Sequence, residues 1–336
     1  MRMTEETATV VAELVRLGLV GSGVTPRLTP LTGGVASDIW KVETPERCFC
    51  VKRALAKLRV AADWRAPVER NAYEVAWFET AGRIVPDAVP RLLGHAPRAG
   101  LFAMSYLDPA EYRLWKAELL AGRAKPDDAA AVGDRLVRIH ADTADDSGVA
   151  RRFDSDAIFH AIRLEPYLEA TARAHPDVAG ALMELSRATA RTRRCLVHGD
   201  VSPKNIQIGP KGPVFLDAEC AWFGDPAFDL AFCLNHLLLK ALAVPAARQA
   251  LSDSFTALAT TYLGGVTWEP SAAMEARTAR LLPGLFLARV DGKSPVEYLT
   301  DEADKSRVRR TARALLRRPA TRLADILETW HAELKA

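Results

Sequence analysis

The stretch His198-Gly199-Asp200-Val201-Ser202-Pro203-Lys204-Asn205 constrains this chain more than any other segment. It is followed by the strand-like run Val214-Phe215-Leu216, which delivers Asp217-Ala218-Glu219. Together they read H-x-D-x-x-x-x-N and then a carboxylate at a strand end, a spacing suited to phosphoryl transfer. That chemistry needs one carboxylate near an attacking hydroxyl, and Asp200 is placed for it. It also needs Mg2+ held against nucleotide phosphates; Mg2+ takes hard oxygen ligands, which Asn205 and Asp217 supply. The short step from Asp200 to Asn205 lets one loop turn both side chains into a single cleft. A polar loop between two strands carries the same letters without any chemistry, so the other parts must be sought elsewhere in the chain.

Residues 4–18 have helical texture, with Val11, Leu14 and Val15 on one side. From 27 to 54 the texture becomes short strands around Thr32-Gly33-Gly34-Val35-Ala36-Ser37 and a turn at Thr44-Pro45-Glu46, which predicts an antiparallel meander. Backbone amides at Gly33-Gly34 can approach a phosphate without side-chain obstruction, although a plain hairpin turn explains the pair equally well. Lys52 closes the strand Cys48–Val51, where its ammonium can reach α- and β-phosphates. A helix over 67–81 offers Glu74 as its carboxylate partner, with Glu69 in reserve. The run Leu101–Leu107 connects this part to the next. Met104 is a candidate for lining a base pocket, and the backbone of Ser105 to Leu107 for reading the base edge; a core strand has the same apolar letters.

Beyond Leu107 the pattern is mainly helical: 127–142, 156–172, 176–193, 226–243, 246–263, 271–290 and 302–334, with strands returning only around 195–219. The expected class is therefore α+β and bilobal. Residues 1–107 form a small antiparallel-sheet lobe that binds nucleotide, and residues 108–336 a larger helical lobe with catalytic and acceptor sites. A cleft between lobes is a favoured ligand site. His198 is expected to orient the loop, Asp229 to accept hydrogen bonds from the loop backbone, and Asp225 to cap a helix or make a turn. His140 lies on an apolar helical face and reads as a core histidine.

Bulk properties exclude several classes. A hydrophobic content of 49% with 26% charged residues is that of an ordinary globular protein, and a net charge of +3 does not suggest a nucleic-acid binder. The arginine-rich run from Arg307 to Arg322 reads as the solvated face of a late helix. Cys48, Cys50, Cys195, Cys220 and Cys233 include no C-x-x-C, so neither a disulfide framework nor a zinc site is expected, which suits a reducing cytoplasm. The N-terminus lacks the pattern of a signal peptide. The apolar segment 227–244 contains Asp229, Asn235, His236 and Lys240, which argues for a core helix and no membrane span.

The chain resembles the aminoglycoside phosphotransferase-like superfamily of small-molecule kinases. The resemblance is carried by Leu196-Val197-His198-Gly199-Asp200, Asn205 and Phe215-Leu216-Asp217 through Asp229-Leu230-Ala231, with support from Gly33-Gly34, Lys52 and Glu74. It implies a protein-kinase-like fold, ATP with Mg2+, and phosphorylation of a hydroxyl on a small molecule such as a sugar, amino alcohol or aminoglycoside. Residue by residue, it implies Asp200 as the base, Asn205 and Asp217 as metal ligands, and Lys52 on the ATP phosphates. Asp217-Ala218-Glu219 also looks like the D-x-E signature of methylthioribose kinases, which implies Glu219 as a further metal ligand. Phe223-Gly224-Asp225 departs from that pattern's Tyr-Gly-Pro. By the same resemblance a late arginine-bearing segment reaches the acceptor, which nominates Arg289, with Asp291 and Lys293 reading substrate hydroxyl or amine groups. A capped helix end explains the same three residues. Two alternatives stand beside a small-molecule kinase: a non-catalytic nucleotide-binding regulator, and a protein-modifying kinase. Asp-Ala-Glu in place of D-F-G and the missing A-P-E weigh against the latter.

Overall fold

The computed structural model describes residues 5–31, 37–55 and 70–335. Helix α1 (Glu5–Arg16) precedes a five-stranded antiparallel sheet of β1 (Arg27–Pro30), β2 (Ser37–Glu43), β3 (Cys48–Ala54), β4 (Leu92–Ala96) and β5 (Leu101–Ser105), ordered β1-β2-β3-β5-β4. Helix α2 (Arg70–Ile84) lies between β3 and β4 in sequence. Alternation along the strands sorts side chains onto two faces. Trp40, Val42, Phe49, Val51, Leu101 and Ala103 pack with Val10 and Leu14 of α1. Cys50, Phe102 and Met104 pack with Trp77 and Phe78 of α2 on the other face. Lys52 is two residues beyond Cys50 and therefore points to the α2 side.

The remainder is mostly helical, as expected. It contains α3 (Trp115–Leu120), α4 (Pro126–Thr143), α5 (Ser147–Arg152) and α6 (Asp156–Phe159), the last continuing through a π-helical stretch, His160–Glu169, into α7 (Ala170–Ala174). Then come α8 (Ala179–Arg191), α9 (Pro226–Ala243), α10 (Arg248–Gly264), α11 (Ser271–Asp291), α12 (Glu302–Arg317) and α13 (Leu323–Lys335). The helix expected over 302–334 is two helices, because Pro319 cannot continue α12. Helix α9 is apolar and long enough to cross a membrane, but 94% of it is buried inside the protein, as expected of a core helix. The arginine run does not simply face solvent. Arg310 pairs with Glu333 of α13, and Arg313 and Arg317 both pair with Asp177.

Three short strand pairs sit within the helical part. β7 (Cys195–Val197) pairs with β10 (Trp222–Gly224), β8 (Ile206–Gly209) with β9 (Gly212–Phe215), and β6 (Arg113–Leu114) with β8. The β6 and β10 pieces fall outside the expected strand region. Ile206 pairs with Phe215, and Leu216 N–H donates to Asn205 C=O at 2.8 Å. Asn205 and Asp217 are thus held at the same open end of one hairpin. The five cysteines are free; Cys48 is exposed at the start of β3 and the other four are buried.

Candidate active site

The loop 198–205 leaves β7 and is pinned from below by Asp229 of α9. Both oxygens of this fully buried carboxylate accept backbone N–H groups, from His198 at 2.7 Å and Gly199 at 2.8 Å. His140 Nε2 approaches Asp229 at 3.3 Å, and its Nδ1 lies 2.6 Å from Tyr262 Oη, so His140 is a hydrogen-bonded core histidine. His198 accepts the Asp200 N–H on Nδ1 at 3.1 Å, and its ring meets Trp77 edge-on at 4.7 Å. Gly199 has φ +79°, and a Cβ there would lie 2.7 Å from the Cys220 carbonyl oxygen, so the turn requires glycine.

Asp200 is buried. Its Oδ2 pairs with Arg163 at 2.8 Å and with Lys204 at 3.2 Å, while Oδ1 has no partner among the described residues. Burial alone would raise its pKa; the Arg163 and Lys204 charges override that and hold the carboxyl below the ordinary range. Arg163 comes from the π-helical stretch, a geometry that recurs at functional sites, and also donates to Gly199 C=O. Asn205 Nδ2 donates to Asp200 C=O at 3.1 Å.

Lys52 closes the opposite side. Its Nζ lies 2.7 Å from Glu74, 2.6 Å from Asp217 and 2.9 Å from Glu219. Burial pulls its pKa down, but Asp217, Glu219 and Glu74 prevail and hold it well above the usual lysine value. Burial pushes the Glu74 carboxyl up to about 8, with Lys52 opposing and the Glu219 and Asp217 charges adding. Glu219 has both oxygens engaged. Ser37 Oγ donates to Oε1 at 2.6 Å beside Lys52, and the buried Arg70 donates to Oε2 at 2.7 Å. Asp217 differs. Its backbone is left-handed (φ +66°), it is 37% exposed, and Lys52 engages only Oδ1. Glu74, Asp217 and Glu219 bring ligand atoms within 4.8 Å of one another.

The structure therefore brings Lys52, Glu74, Asp217 and Glu219 into one cluster, and sets Asn205 beside Asp200. Gly33, Gly34 and Glu69 lie outside the described residues. Met104 is buried in β5. Ser105 is paired with Arg91 in both directions, N–H to C=O at 2.8 Å and Oγ from N–H at 3.0 Å, so its own amide is occupied. Ser105 and Leu107 line a groove of about 540 Å³ with Phe78, Arg91, Tyr112 and Lys211; no member of the Lys52 cluster lines it. Arg289 is buried, and its Nη1 donates to Tyr167 Oη at 3.2 Å and to Ser294 Oγ at 3.0 Å. Asp291 is held by His175 at 2.8 Å and Arg309 at 2.7 Å, and Lys293 by Glu165 at 2.8 Å; none of these partners touches Asp200. Sequence reasoning missed Arg163 and Arg70, because both act through long-range pairs that no local pattern announces.

The sequence pattern of the family described as "Phosphotransferase enzyme family" matches residues 27–261. The chain belongs to that family. A methylthioribose kinase from Pectobacterium carotovorum subsp. carotovorum is 25% identical over 231 residues, which are 61% of this chain and 57% of that kinase. The chain thus spans little more than half the length of the curated relatives it matches. Among solved structures, a choline kinase from Streptococcus pneumoniae superposes with TM-score 0.53 at 15% identity, covering 93% of this chain and 99% of that one. A spectinomycin phosphotransferase superposes with TM-score 0.51 at 11% identity, covering 97% and 98%. The fold is α+β and protein-kinase-like, as the family resemblance implied.

Proposed function

We propose that this chain is a small-molecule kinase that transfers the γ-phosphate of ATP, with Mg2+, to a hydroxyl of a small acceptor. The observation that carries this reading is Asp200 on its pinned loop facing the same end of the β8–β9 hairpin as Asp217, with Lys52 on Asp217. Asp200 Oδ1, the free oxygen, accepts the acceptor hydroxyl; Arg163 and Lys204 fix the other oxygen. Asp200, fixed on one oxygen by Arg163 and Lys204, orients the hydroxyl and accepts its proton, so catalysis rests mainly on positioning and charge stabilisation. Lys52 binds phosphate oxygens, kept in place by Glu74. The nucleotide base meets the chain near Met104 and the backbone beyond Ser105, since the Ser105 amide is occupied. The ADP named with the spectinomycin phosphotransferase of this fold supports the nucleotide reading.

Mg2+ fits Asp217 and Asn205, a part-exposed carboxylate and an amide oxygen at one hairpin end, and bound there it supplies charge neutralisation for the phosphates. Glu219 fits less well, because both its oxygens already accept hydrogen bonds; its role in this reading is to hold Lys52, Ser37 and Arg70. Titrating AMP-PNP affinity against Mg2+ tests the assignment. Asp217→Asn is expected to remove the Mg2+ dependence. Glu219→Gln should leave the Mg2+ titration nearly unchanged and lower the melting temperature, since it weakens the charge shared with Arg70 and Lys52. If Glu219→Gln alone moves the Mg2+ titration, the ligand assignment is reversed. If AMP-PNP binds equally well with and without Mg2+ in the wild-type chain, the kinase reading fails.

A further inference from the structure

Arg289 and Lys240 are buried cations with no carboxylate within 4.0 Å among the described residues. Arg289 Nη1 is spent on Tyr167, Ser294 Oγ and the Ser294 carbonyl, and its Nε has no partner. Lys240 Nζ lies 3.3 Å from Tyr298 Oη and 4.7 Å from the centre of its ring. A continuous wall joins them to Asp200. Phe232, His236 and Lys240 recur at i, i+4 and i+8 on one face of α9. The Phe232 ring is 5.4 Å from Tyr167 and 5.5 Å from His236. Arg163, already on Asp200, lies 5.7 Å from the Tyr167 ring and 5.9 Å from Phe232.

Some buried polar atoms along this wall have no partner among the described residues. Both ring nitrogens of His236 are buried without a partner, as is Asp200 Oδ1. Burial, joined by the charges of Arg289 and Lys240, holds His236 well below its usual value. Burial, with Lys116 and Arg289, brings Lys240 down to about 7. Glu297 acts on Lys240 but is itself paired with Lys116. The Asp200 charge is already met by Arg163 and Lys204. A buried cation without a counter-ion is destabilising, so two on one wall call for an anion brought by a ligand.

We propose that this wall is the acceptor subsite and that the acceptor carries an oxyanion, a carboxylate or a phosphate, held by Arg289 and Lys240 while its hydroxyl meets Asp200 Oδ1. The inference rests on the kinase reading and specifies its substrate class. Phe232 to Lys240 spans about 12 Å along the helix axis, so hydroxyl and anion stand several bonds apart in the acceptor. An acceptor whose far end is an amine or a quaternary ammonium meets like charge here.

The test follows melting of the full chain with inorganic phosphate, D-glycerate, gluconate and glycerol 3-phosphate. Glycerol and sorbitol serve as uncharged counterparts and choline as a cation, each with and without Mg2+ and AMP-PNP. At least one anion should raise the wild-type melting temperature beyond its uncharged counterpart. Lys240→Met and Arg289→Gln should each weaken that response roughly tenfold or more in concentration. Lys240→Met removes an unpaired buried cation and is expected to melt at or above the wild-type temperature, which separates lost binding from lost folding. A stronger response to the carboxylates, or to the phosphates, identifies the source of the oxyanion. The proposal is overturned if no anion acts beyond its uncharged counterpart, if choline acts most strongly, or if both variants keep the full response. Failure of AMP-PNP to bind sinks the kinase reading instead and leaves the anion arms readable.

Discussion

Replacing Asp200 with Asn is expected to lower kcat at least about 10²-fold, the scale of a positioned acid–base group, while AMP-PNP affinity stays within about twofold of wild type, since Asp200 is assigned no nucleotide contact. The amide keeps the shape and one acceptor oxygen but loses the charge that Arg163 and Lys204 face at 2.8 and 3.2 Å. Some loss of melting temperature therefore accompanies the kinetic defect. The pH behaviour has a definite sign. The folded carboxyl titrates below its ordinary range, so its ion pairs contribute stability above the unfolded Asp value and lose it only as pH falls through the folded one. An activity loss between neutral and mildly acid pH then belongs to another group. Single-turnover kinetics with a circular dichroism melt on the same sample measures both effects. A folded variant with near-normal turnover removes Asp200 from the assigned role.

The second large effect is on folding. Asp229→Ala is expected to destabilise the chain by roughly 3–5 kcal/mol, because it leaves the His198 and Gly199 N–H groups buried without acceptors. For a chain of this size that corresponds to a fall of roughly 4–7 °C in melting temperature. His140 loses its Nε2 contact as well, while its Nδ1 contact with Tyr262 remains. Asp229→Asn should be intermediate, since an amide offers one oxygen where the carboxylate offers two. Calorimetry checks the ordering; equal melting of all three chains would mean that the loop is held by something other than Asp229.

The parts of the site that were legible in the sequence are those fixed by short-range periodicity. The alternation Cys48–Lys52 put Lys52 on the face that meets Glu74, and the distances from His198 to Asn205 and on to Asp217 are hairpin distances that a strand–loop–strand pattern carries by itself. Asp229 was readable because a carboxylate opening an apolar helix must find donors. What was hidden is pairing across the chain. Arg163 reaches Asp200 from a π-helical stretch whose letters read as an ordinary helix, and Arg70 reaches Glu219 over 149 positions. The D-x-E resemblance nominates Glu219 as a metal ligand, but that local motif says nothing of its pairs with Ser37 and Arg70. Arg289, Asp291 and Lys293 are neighbours in sequence but part ways in space, because Asp291 and Lys293 pair with α12 and the π-helical stretch while Arg289 turns inward. His236 and Lys240 carry a visible signal, polar residues four apart in an apolar helix, but the same letters suffice to argue against a membrane span and do not by themselves point to a ligand.

In the proposed reading, phosphoryl transfer from ATP to a hydroxyl is under the control of Asp200. Phosphorus NMR of the full chain with ATP, Mg2+ and a mixed panel of hydroxy acids, phosphorylated alcohols, sugars and amino alcohols tests it most directly. The expected result is a new phosphomonoester resonance that grows in step with ADP, requires Mg2+, and grows at least about 10²-fold more slowly for Asp200→Asn. Growth of that resonance at the same rate in Asp200→Asn, or ATP left intact by a wild-type chain that binds Mg2+ and AMP-PNP, would contradict it.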